Sequence, residues 1–219
     1  MSPFLWDWGL VWQALPSLLT GLQYTIIATL GGSAVALALG FLWTLLRLAS
    51  IPIVSPIAVL LVNFLRGTPG LIQLYFIFYV LPAYGLTLSI LMTGILALGI
   101  SFSGYTSEVL RAAIEAIAPG QWEACLTMGL PVRHVWTRVV LPQAMRTALP
   151  MLGSYMIYMF KDSAILSTIG LSELLAKGME FGFLYFRFTE PLTTVAALYF
   201  AISYLASRAV RALEAATHA

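Results

Sequence analysis

Charge is scarce in this chain: 9% of its 219 residues are Asp, Glu, Lys or Arg, against about 25% in soluble domains. Lysine occurs only as Lys161 and Lys177, and histidine only as His134 and His218. The lone Cys125 excludes an internal disulfide and offers no metal framework. The shortage of lysine decides more. A nucleotide-binding P-loop needs a glycine-led Lys-Ser/Thr pair to grip phosphate and metal. Lys161 is followed by Asp162 and Lys177 by Gly178, and no glycine directly precedes either. The chain therefore lacks an ATPase site of that kind. An intramembrane serine protease would set a histidine beside a membrane serine, but both histidines lie on polar segments. The basic residues are too scattered for a nucleic-acid surface. A secretory signal peptide is not expected, because no basic stretch leads the first apolar run, which is itself too long for an h-region.

What is present is apolar. Hydrophobic residues make up 60% of the chain, and the mean hydropathy is +0.92. This is the composition of an all-α integral membrane protein, and no polar block is large enough for a second core. One transmembrane domain, residues 1–219, is expected.

Five spans are expected. The start is rich in tryptophan (Trp6, Trp8, Trp12), a residue that favours the headgroup level. Residues 1–5 read equally well as a loose tail. Span one covers about residues 16–46 and is uncharged until Arg47; its Gly32, Ala36 and Gly40 form a small-residue stripe where another helix can approach closely. Span two, residues 53–82, would measure about 45 Å as one helix, longer than a bilayer core of about 30 Å. Arg66-Gly67-Thr68-Pro69 interrupts it, since proline lacks a backbone donor and disfavours helix just before it. A tilted or interfacial helix to about Leu65, a break, and a membrane segment over 71–81 are expected. Arg66 reads either as a headgroup anchor or as the partner of an internal carboxylate. Span three covers about 86–107 and continues as a polar helix to Ala116, with Glu108, Arg111 and Glu115 at spacings where side chains meet.

Residues 119–142 form the longest polar interval. Arg133, His134 and Arg138 crowd one part of it, and Glu123 lies near its start. The bilayer core offers no partner for such charge, so this stretch lies outside it. A short helix over 121–128 is expected, stopped by Gly129 and Pro131, with Leu141-Pro142 able to start the next.

Span four, about 149–169, carries Lys161-Asp162 some two-thirds of the way across. Ionised groups there cost about 2.5–3.5 kcal/mol each and usually face the bundle interior. They either contact a polar solute or tie helices by an internal ion pair; Ser163, Ser167 and Thr168 add hydrogen-bonding groups nearby. Residues 170–190 form an outer loop with a short helix over about 171–177. Span five covers about 191–206. Arg47, Arg111, the basic loop, Arg208 and Arg211 all fall on one side, so the N-terminus is expected outside and the C-terminus inside.

The polar stretch resembles the EAA loop of binding-protein-dependent ABC importer permeases: Glu123-Ala124-Cys125, then Gly129, Val139 and Leu141-Pro142 at that loop's spacing. Cys125 replaces an alanine and Val139 the usual isoleucine. Residues 64–82, 105–124 and 160–163 are similar to segments of the polar amino-acid branch, although Gly70 stands where that branch more often has leucine. Three segments (105–109, 159–162, 186–193) are close in texture to permeases for ectoine and hydroxyectoine.

The resemblance implies a type I ABC importer permease fold without a cofactor of its own, ATP being bound by separate ATPase subunits. It implies as further partners a second permease chain, self or homologue, a periplasmic or lipid-anchored solute-binding protein facing the outer loop, and the lipid of a bacterial cytoplasmic membrane. Glu123, Ala124 and Gly129 would belong to a coupling helix docked on the ATPase. Arg111 and Glu115 would help to hold it there or simply pair within their helix. Lys161, Asp162, Ser163 and Arg66 would line the solute pathway. The competing expectation is an ion-gradient-driven carrier or channel, which has no need to present the loop 119–142.

Overall fold

The computed structural model describes residues 6–218, and all the regular elements among them are helices. The expectation for residues 1–5 lies outside the described residues. Helix α1 (Trp8–Leu48) begins at Asp7, whose carboxylate accepts from the Gly9 N–H at 2.7 Å. It starts two turns before the expected span and is about 60 Å long at 1.5 Å per residue. The bilayer cannot cover all of it, and the excess carries the exposed Trp8 and Trp12.

α1 packs mainly along α4 (Ile90–Glu115). The small-residue stripe makes that contact. Gly32, Ala36 and Gly40 are all buried. A Cβ on Gly40 would lie 2.5 Å from Thr106 Cγ2, and one on Gly99 would lie 2.5 Å from Val35 Cβ. The backbones approach closely here because each glycine leaves room for a side chain of the facing helix, Gly40 for Thr106 and Gly99 for Val35. Gly40→Val is therefore expected to force the pair apart at a cost of about 1–3 kcal/mol. A lower melting temperature of the detergent-purified protein, with Gly40→Ala falling between the two, is the result to look for.

The expected break is present and sharp. α2 (Val54–Gly67) and the segment beginning with α3 (Gly70–Tyr75) meet at 104°. The second span is thus a bent pair, because Pro69 has no N–H to continue the ladder. The carbonyls freed at the bend find Gln73, which is buried and whose Nε2 donates to Leu65 O at 2.8 Å and to Thr68 O at 3.0 Å. Without such a partner a break at membrane depth would leave polar backbone in an apolar medium.

After α4 come α5 (Pro119–Thr127) and the three-residue α6 (Val132–His134). A π-helical stretch, Val135–Val140, joins α6 to α7 (Leu141–Asp162) without a break, where a fresh helix start at Leu141 was expected. A 3₁₀ segment, Ser163–Ile169, leads to α8 (Leu174–Tyr185), which extends two turns beyond the expected short outer helix. α9 (Thr189–His218) closes the chain. Among the described residues α1, α4 and α9 are long and apolar enough to cross a membrane, and the bent pair makes a fourth. α7, 22 residues long, would measure about 33 Å, but it holds Arg146, Lys161 and Asp162.

The end of the bundle at α8 is tied by two buried carboxylates that lie in the stretch 170–190 expected to be a loop. Glu173 caps α8 by accepting from Leu175 N–H at 2.9 Å and Ala176 N–H at 2.7 Å, and it also accepts from the Tyr199 hydroxyl of α9 at 2.9 Å. Glu190 is fully buried, accepts from the Asp7 N–H at 3.2 Å, and pairs with Arg187. The donors that reach Glu173, and the Asp7 N–H and Arg187 that reach one oxygen of Glu190, offset the cost of holding these carboxylates in the packed interior.

Candidate functional site: a polar cleft, an ion cluster and an exposed helix

The bend after α2 opens a cleft of about 340 Å³ between α2, α4 and α7. Arg66, Gly67, Thr68 and Pro69 form one wall. α4 contributes Ser101, Phe102 and Tyr105, which recur on one helix face, and α7 contributes Tyr155, Tyr158 and Asp162 at spacings of three and four. The rings adjoin in tilted pairs to form an aromatic wall: Tyr105 to Tyr155 at 5.5 Å between centroids and Tyr155 to Tyr158 at 6.2 Å. Arg66 lies 5.7 Å from the Tyr105 ring centroid, and the Tyr105 hydroxyl donates to Arg66 O at 3.2 Å. The cleft thus holds a guanidinium, a carboxylate and tyrosine faces, a set that can receive a small molecule carrying both charge signs.

The structure divides the four expected pathway residues. Arg66 and Asp162, 96 positions apart in sequence, line one cleft. Lys161 turns aside, its Nζ lying 4.6 Å from the Tyr158 ring centroid. Ser163 is fully buried and donates to Phe160 O, one turn back at the end of α7, at 2.7 Å. Among the described residues no ion pair joins Lys161 or Asp162 to another helix, so the alternative of a helix-tying pair finds no support in the geometry. Tyr155, Tyr158 and Ser101 were missed. Their only sequence signal was a polar atom on the same helix face as Asp162 or Tyr105.

Beneath the cleft, toward the polar loop, lies an ion cluster. Glu108 Oε2 is 2.9 Å from Arg47 Nη1 and 3.7 Å from Arg66 Nη1. Glu108 also pairs with Arg111, which pairs in turn with Glu115. Of the two readings of Arg66, the internal-carboxylate partner is the one seen. Helical spacing disclosed the Glu108–Arg111–Glu115 ladder; nothing local could disclose that Arg47 and Arg66 converge on it. Arg111 and Glu115 spend their charges within α4 rather than on α5.

The loop places its residues in two sets. Cys125 is buried with Leu110, Ile114, Val135 and Ala144, and Trp122 meets Trp136 edge-on at 5.7 Å. Glu123 and Ala124 are exposed, and so are Leu126 at 79%, Met128 at 65% and Val132 at 73%. Gly129 ends α5 at φ +65°. Its N–H donates to Leu126 O at 3.0 Å and that of Leu130 to Cys125 O at 3.1 Å. This paired closure needs a left-handed residue, which glycine supplies without strain. The result is a rigid short helix, anchored on one face and bare on the other.

A family model described as "Binding-protein-dependent transport system inner membrane component" matches residues 47–218. A probable amino-acid ABC transporter permease protein of Sinorhizobium fredii is 38% identical over 216 residues, covering 96% of this chain and 94% of that one. The glutamine transport system permease protein of Escherichia coli is 32% identical over 210 residues, covering 95% and 96% respectively. A crystal structure of an amino acid ABC transporter with histidines superposes with a TM-score of 0.90 at 31% identity, covering 96% of this chain and 99% of that one.

Proposed function

The chain belongs to the family of binding-protein-dependent transport system inner membrane components, as the permease subunit of an amino-acid ABC importer, and from that premise we propose that its solute is a small zwitterion held between Arg66 and Asp162. The convergence of these two charges on a tyrosine-walled cleft is the observation that carries this reading. The guanidinium takes a carboxylate in a planar two-point bond, Asp162 takes an ammonium, and the tyrosine faces favour the cationic end. An α-amino acid fits this description. So does a zwitterionic compatible solute such as ectoine, supported by the texture of residues 105–109, 159–162 and 186–193.

Transport proceeds by alternating access. The N-terminus lies outside and the C-terminus inside a bacterial cytoplasmic membrane. Two permease chains, self-paired or mixed, form the pathway, and a binding protein delivers the solute to the outer face. Two ATPase subunits close on ATP and push α5 through its exposed face of Glu123, Ala124, Leu126 and Met128. That push reaches the bundle because Cys125, Trp122 and Val135 are packed against the end of α4 and the start of α7.

The test is uptake by proteoliposomes holding the affinity-purified complex with its co-purifying subunits and binding protein. Labelled L-glutamine, L-histidine and ectoine are the probes. Uptake of at least one, dependent on ATP and insensitive to collapse of ion gradients, is expected. A preparation that brings no P-loop subunit, and whose uptake needs an ion gradient instead, would replace this reading with an ion-driven carrier.

A further inference from the structure

Arg66 stands at two sites at once. It lines the cleft, and its Nη1 is 3.7 Å from Glu108 Oε2 in the ion cluster. We propose that Arg66 is a shared guanidinium for which the solute's carboxylate and Glu108 compete, so that filling the cleft loosens α2 from the ion cluster on α4. This rests on the reading of the cleft as the solute site.

Three observations lead here. First, Arg66 is the most weakly held member of the cluster. The same Oε2 is only 2.9 Å from Arg47, and the other oxygen is taken by Arg111. Glu108 thus keeps two direct partners when Arg66 leaves. Second, the cluster carries three guanidiniums (Arg47, Arg66, Arg111) against two carboxylates (Glu108, Glu115), one positive charge in excess. A carboxylate arriving in the cleft supplies the missing negative charge, and Arg66 is the one guanidinium of the three that lines the cleft. Third, the side chain is mounted to swing. Its stem lies on α4 at Gly104, where an added Cβ would come within 3.0 Å of Arg66 Cγ. Its carbonyl is held by Tyr105 at 3.2 Å. The base is therefore fixed while the side chain, 38% exposed, has Glu108 at one side and borders the cleft at the other. Because Arg66 is the residue before Gly67, where α2 ends at the 104° bend, exchanging its anion changes what ties the bend to α4. Occupancy of the cleft is thereby linked to the cluster beside the α5 loop. Such linkage works in both directions: whatever weakens the hold of Glu108 on Arg66 strengthens binding in the cleft.

The experiment measures equilibrium binding to the assembled importer in nanodiscs, without its binding protein. The probes are L-histidine and L-glutamine, and their decarboxylated counterparts histamine and 4-aminobutanamide. The parent is expected to bind at least one amino acid about tenfold or more tighter than its amine. Glu108→Gln is expected to tighten amino-acid binding about fivefold and leave the amines unchanged. Arg66→Gln is expected to erase the preference for the carboxylate. In that background Glu108→Gln is expected to add nothing, the mark of two residues acting through one contact. Should Glu108→Gln not assemble, Arg47→Gln serves instead: it frees Glu108 to hold Arg66 harder, and amino-acid binding is expected to weaken. If the parent prefers amino acids but these substitutions act additively, or Glu108→Gln and Arg47→Gln both leave affinity unchanged, the sharing is refuted and the cleft reading stands. If neither amino acid binds better than its amine and labelled ectoine does not bind either, both fall together; if ectoine alone binds, the same substitutions are read on ectoine, with the same outcomes.

Discussion

Replacing Gly129 with aspartate is expected to abolish ATP-driven uptake while leaving the chain in the membrane at its normal level. The two halves of that result have separate causes. An added Cβ at Gly129 meets nothing within 4 Å in this chain, so folding loses only the cost of a non-glycine residue at φ +65°, about 1–2 kcal/mol. Aspartate is also among the residues that bear this conformation best. The bundle is untouched, and insertion should not change. The face on which Gly129 lies is bare, with Leu126 and Met128 exposed beside it. If that face seats in the ATPase, a carboxylate enters the contact without a partner. An uncompensated charge in such a place costs about 3–5 kcal/mol, more than a hundredfold in association. Gly129→Ala separates strain from charge: it carries at least the same backbone cost without the carboxylate and should reduce uptake by only about tenfold or less. The measurement is uptake by proteoliposomes beside a pull-down of the ATPase subunit. Normal uptake with Gly129→Asp would remove the coupling role from this loop.

Asp162→Asn carries the next largest expected effect. The two side chains have nearly the same shape, so the cleft keeps its volume and loses one negative charge. A hydrogen bond to a charged group contributes about 1.5–3 kcal/mol, so uptake efficiency should fall by about tenfold to a hundredfold. The loss should appear for solutes with an ammonium group and shrink for analogues in which that nitrogen is acylated. A purely structural carboxylate would not produce such a split. Asp162 makes no ion pair among the described residues that its removal could break. Uptake with unchanged affinity and rate would take Asp162 out of the pathway.

Much of this was legible in the order of the residues because it depends on neighbours in the chain. The scarcity of charge, the long apolar runs, the interruption at Arg66-Gly67-Thr68-Pro69 and the glycine-ended helix over 121–128 are local properties. Each follows from what a few consecutive residues can do in water or lipid. The Glu108–Arg111–Glu115 ladder was likewise legible, since three- and four-residue spacing alone puts those groups side by side. Two local expectations gave way to the surroundings. The helix expected to begin at Leu141 is continuous from α6 through a π-helical stretch, with Val135 and Val140 packed into the cluster around Cys125. Glu173 and Glu190, in the stretch expected to be a loop, proved to be buried: donors from α1, α8 and α9 meet Glu173, and the Asp7 N–H and Arg187 meet Glu190.

The sequence by itself therefore determined that this is a helical membrane chain, where its spans break and which loop stands bare. It also placed Arg66 and Asp162 on the short list of functional residues. Only the tertiary structure decided that those two share a cleft while Lys161 and Ser163 turn away from it. It alone brought Arg47 and Arg66 to the same carboxylate and set Gln73 under the bend. The physical reason is the difference between a period and a meeting. Helical periodicity states which face a residue occupies, but which faces meet depends on how closely the backbones can approach. Here Gly40 and Gly99 set that approach by making room for Thr106 and Val35 of the facing helix where α1 and α4 cross.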